Sequence, residues 1–142
     1  MANGEPAVFL NLDLELRSRE NLAPLGGYLS ERAHVLYNGE TPEGYLLTAE
    51  PLHGGMGQTP EMCTDELLAT LDALPTELSA LVRGCHARVF DYGFGSGLKA
   101  PPLAVGIPPH QLVRMAQWDI ALRVTVYPYR PEPLGEGQAI DA

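Results

Sequence analysis

Residues Val8 to Arg17 alternate between apolar and polar side chains almost without error. Val8, Leu10, Leu12, Leu14 and Leu16 share one parity; Phe9, Asn11, Asp13, Glu15 and Arg17 share the other. Only an extended strand turns every second side chain to the same side. The segment therefore reads as a strand buried on one face and wetted on the other. The pattern returns near the C-terminus, where Trp118, Ile120, Leu122, Val124 and Val126 alternate with Asp119, Ala121, Arg123, Thr125 and Tyr127. Two such strands imply a largely antiparallel sheet with one solvent-facing side. The apolar parity of both is expected to pack under helices. On that reading Leu122→Asp unfolds the domain and Thr125→Asp is nearly silent.

The intervening chain supplies the helices and the other strands. Ser18 or Asn21 can cap a short helix in which Leu22, Leu25 and Leu29 face the sheet, weakened by Gly26-Gly27. Ala33–Tyr37 and Tyr45–Ala49 read as strands about the Asn38-Gly39 turn signal. Thr59-Pro60-Glu61 starts a helix with proline at its first position and an acid beside its positive end. Leu67, Leu68, Leu71 and Leu74 form its apolar stripe, and Pro75 ends it. A second helix carries Leu78, Leu81 and Val82 to Gly84. His86–Phe94 is a strand, Ala104–Ile107 a short edge strand, and Pro108-Pro109 opens a helix with Leu112, Val113 and Met115 inward.

The order is β-α-β-β-α-α-β-β-α-β. It describes an α+β domain with about six strands and helices packed on one face. A chain of 142 residues is one domain by length, with an ordered core over residues 7–129 and a flexible tail over 130–142. Each half holds about three strands, but no sequence repeat supports a duplication.

Charge narrows the partners. A net charge of −9, with no basic cluster, argues against nucleic acid and against an anionic membrane surface. It permits a basic protein partner through electrostatic steering. No apolar run approaches the ~20 residues of a membrane helix. Met1–Pro6 lacks the basic and apolar regions of a secretory leader, so the expected compartment is the cytoplasm and both cysteines are expected to be free thiols.

No motif specifies chemistry. His34, His53, His86, His110, Cys63 and Cys85 show no zinc-site spacing, so no metal or cofactor is expected. Cys85 and His86 read as a buried thiol beside a surface imidazole. Gly93-Phe94-Gly95-Ser96-Gly97 with Lys99 fails both the dinucleotide fingerprint and the P-loop template, and Ser96 is not in a nucleophile elbow. Asp13 and Glu15 stand about 7 Å apart on one strand face. That spacing suits acid–base work, but ion pairing with Arg17 and Arg123 on a wet sheet is the commoner use. No catalytic residue is assigned.

The chain resembles a family of small uncharacterised bacterial proteins, a domain of unknown function. The resemblance lies in Phe9–Arg17, Val35-Leu36-Tyr37, Phe90-Asp91-Tyr92-Gly93-Phe94-Gly95-Ser96-Gly97 and the helix-strand unit ending at Tyr127-Pro128. It spans most of Val8–Pro128. It implies a bacterial, soluble α+β domain and carries no catalytic residues with it.

Two functional expectations follow. The first is a non-enzymatic interaction domain, for instance of immunity or inhibitor type. Its polar sheet face, with Asn11, Asp13, Glu15 and Arg123, meets a basic partner or a second copy. The second is a small-molecule-binding domain or enzyme with a site where the glycine-rich loops 53–57 and 92–99 converge, using Asp91, Tyr92, Ser96 and Lys99.

Overall fold

The structure is a computed structural model that describes residues 5–54 and 57–129. The expected tail, 130–142, lies outside the described residues, as do Gly55 and Met56 of the 53–57 loop. Strand β1 (Val8–Ser18) is the centre of a five-stranded sheet. Helix α1 (Ala23–Leu29) leads into β2 (Ala33–Thr41) and β3 (Gly44–Pro51); α2 (Pro60–Asp72) and α3 (Thr76–Arg83) lead to β4 (Ala87–Gly95), and α4 (Pro109–Gln117) to β5 (Ala121–Tyr127). The spatial order is β2-β3-β1-β4-β5. Three pairings are antiparallel, but β4 and β5 run parallel, with α4 in their crossover.

Local sequence explains the helix boundaries. Thr59 Oγ1 accepts the Met62 amide at 3.1 Å, so α2 begins as its Thr-Pro-Glu signal requires. At α1 the Asn21 side chain accepts the Ala23 amide at 2.8 Å, while Ser18 Oγ accepts the amide of Glu20. Arg88 donates to the carbonyls of Val82, Arg83 and Cys85, at and just beyond the end of α3.

One core joins the helices to one side of the sheet. Register places Leu14 between Ala49 and Phe90, Leu16 beside Leu47, and Leu12 opposite Tyr92. All are buried together with Leu22, Leu25 and Leu29 of the α1 region and Leu67, Leu68 and Leu71 of α2. Tyr92 reaches furthest, with its hydroxyl 2.7 Å from Thr64 Oγ1. Since Thr64 donates to the Pro60 carbonyl, Tyr92 is the donor in this pair.

Four expectations are corrected. The sheet has five strands, because Ala104–Ile107 forms no strand. A β-bulge between Phe9 and Asn11 shifts the phase of β1. Phe9 therefore packs on Phe94, with ring centroids 5.5 Å apart, whereas Val8 and Leu10 are exposed on the opposite face. Trp118 and Ile120 are buried, but they precede β5: Trp118 caps α4, and Asp119, at φ 55°, turns the chain into the strand. Leu112 and Val113, expected inward on α4, are exposed, and Gln111 is buried with Met115 instead.

The largest correction concerns β5. Leu122 and Val124 are register partners of Phe90 and Tyr92, so they do lie on the helix side of the sheet. Yet Leu122, Val124 and Val126 are 46%, 54% and 58% exposed. Among the described residues no helix covers this edge. Leu122→Asp therefore places its charge in water rather than in a core. Thr125 is not idle either, since its hydroxyl donates to Asp91 at 2.7 Å.

Candidate functional site

The polar face is built by cross-strand register. Asp13 pairs with Asp91, Asp91 with Arg123, and Asn11 with Gly93. Arg123 binds Glu15 at 2.6 Å and Asp91 at 3.1 Å; Arg17 binds Glu15 at 2.9 Å. Burial alone pushes the Glu15 carboxyl up, but hydrogen bonds from Arg123 and then Arg17 outweigh it and hold Glu15 below its usual range. The four residues expected on one face, Asn11, Asp13, Glu15 and Arg123, do share it, and Asp91 joins them.

Sequence reasoning missed Glu50, which β3 places beside Asp13. Asn11 Nδ2 donates to Glu50 at 2.8 Å and reaches Asp13 at 3.4 Å. Among the described residues Asp13 has no cation of its own. Burial first, then a hydrogen bond and the negative charge of Glu50, with Asp91 and Glu15 adding to it, push its carboxyl up to about 7. A Cβ on Gly93 would meet the Asn11 side-chain oxygen, so a larger residue there would turn the Asn11 amide aside.

The other expected cluster is split. Asp91 lies on the polar face, Tyr92 in the core, and Lys99 is exposed beside a bridge to Pro6. The Gly95–Gly97 loop is held: Leu98 N–H donates to the Glu5 carbonyl at 2.8 Å, Ser96 N–H to Tyr127 at 2.9 Å, and a Cβ on Gly97 would strike the backbone of Pro6 and Ala7. His53 does not line the cavity that Ser96 and Gly97 line; it pairs with Glu66 at 3.3 Å. It lies in a polar groove of about 690 Å³ with His110 and Gln111. Gln111 donates to the Glu61 carbonyl at 2.9 Å; its Oε1 is buried without a partner among the described residues.

Neither thiol is placed for nucleophilic work. Cys63 and Cys85 are both buried, and burial pushes each thiol up to about 11. The Cys85 thiol donates to the Leu81 carbonyl, while His86 is exposed. Among the described residues, no three His, Cys, Asp or Glu side chains group as a metal site, and no helix is long and apolar enough to cross a membrane.

A second concavity is apolar. A groove of about 630 Å³ runs along the uncovered side of β5. Leu122, Val124 and Val126 form one wall; Tyr92 and Phe94 contribute from β4; Leu103, Val105 and Ile107 form the opposite rim. The rim is the segment expected as a strand, an apolar run between two proline pairs. Ser96 and Gly97 close one end, but neither Asp91 nor any histidine lines it. Comparison with protein-family models, curated proteins and solved structures found no match.

Proposed function

We propose that this chain is a non-enzymatic protein-interaction domain that docks a partner along the β5 edge and the apolar groove beside it. The observation that carries this reading is the exposure of Leu122, Val124 and Val126 in one row on an edge strand. Each buried Leu or Val side chain contributes roughly 1.5–3 kcal/mol relative to exposure. A row of three left in water therefore marks a surface that gains by being covered. Among the described residues β5 pairs with β4 alone, so its outer backbone offers hydrogen bonds that an incoming strand can complete.

This moves the contact from the polar face to the edge. On the polar face Arg123, Arg17, Glu15 and Asp91 already satisfy one another, so a partner there must first separate paired charges. The net charge of −9 still supports exclusion of nucleic acid and steering of basic surfaces. An immunity or inhibitor role in a bacterial cytoplasm is one concrete form of such docking. The resemblance to small uncharacterised bacterial proteins belongs to the same proposal.

The groove's volume also supports a second reading, a small apolar ligand, because about 630 Å³ is within the span of ligand pockets. Its few polar groups favour the docking of side chains over a specific small molecule.

The test is photo-crosslinking in the native cell. A photoreactive residue at Val124 should give a protein adduct, whereas one at Leu36, equally exposed on the opposite edge, should not. No adduct from Val124, or equal adducts from both, would refute the docking edge.

A further inference from the structure

We infer that the occupant of the β5 edge is a second copy of this chain, paired antiparallel about Val124; this rests on the reading of β5 as the docking edge. The sequence of the strand is self-complementary. Leu122-Arg123-Val124-Thr125-Val126 reads apolar-polar-apolar-polar-apolar from either end. Antiparallel pairing about Val124 sets that residue against its own copy and Leu122 against the second copy's Val126. Such an interface is isologous and closes at two subunits. It joins two five-stranded sheets into one and lets the two apolar rows form one continuous strip. On the polar side it sets Ala121, a small residue, opposite Tyr127, a large one that is half-exposed.

Charge leaves this edge as the place where a second copy meets least repulsion. Two chains of −9 repel over most of their surfaces. Strand β5 carries no acid, and its one charge, Arg123, is already held by Glu15 and Asp91. In the paired register the two Arg123 side chains are offset by about 7 Å along the strands. Each then lies beside the second copy's Thr125, which is hydrogen-bonded to Asp91 in its own chain. Opposite charges thus approach across the seam. A basic partner finds no such acid on the apolar row. The chain after β5 includes Pro128, Pro131 and Pro133, and proline cannot donate to a ladder.

The test uses the purified full chain. Light scattering should give the mass of a dimer at high-micromolar concentration. Val124→Lys, which sets two ammonium groups against each other, should weaken association by roughly tenfold or more. Because Val124 is half-exposed, the variant should melt as the parent does. Register is read independently with cysteines. Val124→Cys should crosslink to itself under mild oxidation; Leu122→Cys should not, but should crosslink when mixed with Val126→Cys. A monomeric parent, or a dimer that Val124→Lys leaves intact, overturns the inference. So does a chain truncated after Tyr129 that dimerises when the full chain does not, since the tail is then the occupant. If the parent is monomeric while Val124 crosslinks to a different protein in the cell, the second copy fails and the docking edge stands. If Val124 gives no adduct and the parent is monomeric, both fail.

Discussion

The two edges of this sheet differ in how they meet solvent. At one edge, β2 is interrupted by a bulge between Val35 and Tyr37, and its end pairs with β3 up to Gly44 in a tight turn. Bulges twist an edge away from a regular template and so discourage pairing with another chain. At the other edge, β5 pairs with β4 without a register shift over seven residues, Ala121 to Tyr127. It has no bulge, no proline and no lysine. Both edges expose large apolar residues, Leu36 on one and Leu122, Val124 and Val126 on the other. Only β5 aligns them on one side of a regular strand. An exposed apolar side chain alone is common and uninformative; its regular array along an edge strand is what supports the proposed docking.

The largest effect separates the covered sheet from its open edge. Phe90 and Leu122 are register partners on the same side, but Phe90 is fully buried. Phe90→Ala should cost about 3–5 kcal/mol in denaturant unfolding. Leu122→Ala should cost less than about 1 kcal/mol, because roughly half of its side chain is already wet. Comparable losses would mean that a helix or another segment covers β5 after all.

A smaller effect is expected where β5 meets the polar face. Thr125→Asp removes a donor to Asp91 and sets two carboxylates together. Destabilisation of about 1–2 kcal/mol should result, with Thr125→Val milder because it adds no charge. A silent Thr125→Asp would remove the Asp91–Thr125–Arg123 network from consideration.

The pH dependence contrasts two carboxylates two residues apart on β1. Asp13 is raised from its ordinary 3.8 to about 7. The fold therefore favours its protonated form, and this stabilisation is full below 3.8 and lost as pH rises through about 7. Glu15 is lowered by its arginines, so its contribution is present above its ordinary range and lost on acidification. Asp13→Asn should flatten the decline in melting temperature towards neutral pH. In mildly alkaline buffer it should stabilise by about 1 kcal/mol, a value kept small because the side chain is only partly buried. An unchanged profile would mean that Asp13 is not the group titrating. The smallest effect on stability is expected from Val124→Lys and Leu36→Lys, each within about 0.5 kcal/mol, although only the first should alter association.

Alternation made the polar face legible. Asn11, Asp13, Glu15 and Arg123 share it because parity along β1 and β5 survives folding. The same alternation carried two errors. It gives the side of a strand but not whether anything lies over that side, so Leu122, Val124 and Val126 read as core. It also cannot register an inserted residue, and the bulge at Leu10 moved Phe9 into the core and Val8 out of it. Glu50 was invisible because its approach to Asp13 depends on β3 pairing with β1, between residues 37 positions apart in the chain, rather than on any local spacing. The parallel β4–β5 pairing was missed for a related reason: a crossover through α4 and a hairpin leave similar strand patterns, and only the connection distinguishes them.

The most direct measurement is hydrogen exchange of the full chain in dilute and concentrated solution, compared at the two edges. Amides of residues 121–127 should become slower with concentration, while those of 33–41 should not change. Exchange that is independent of concentration in both segments, or protection gained at β2 and not at β5, would contradict the assignment of β5 as the docking edge for a second copy.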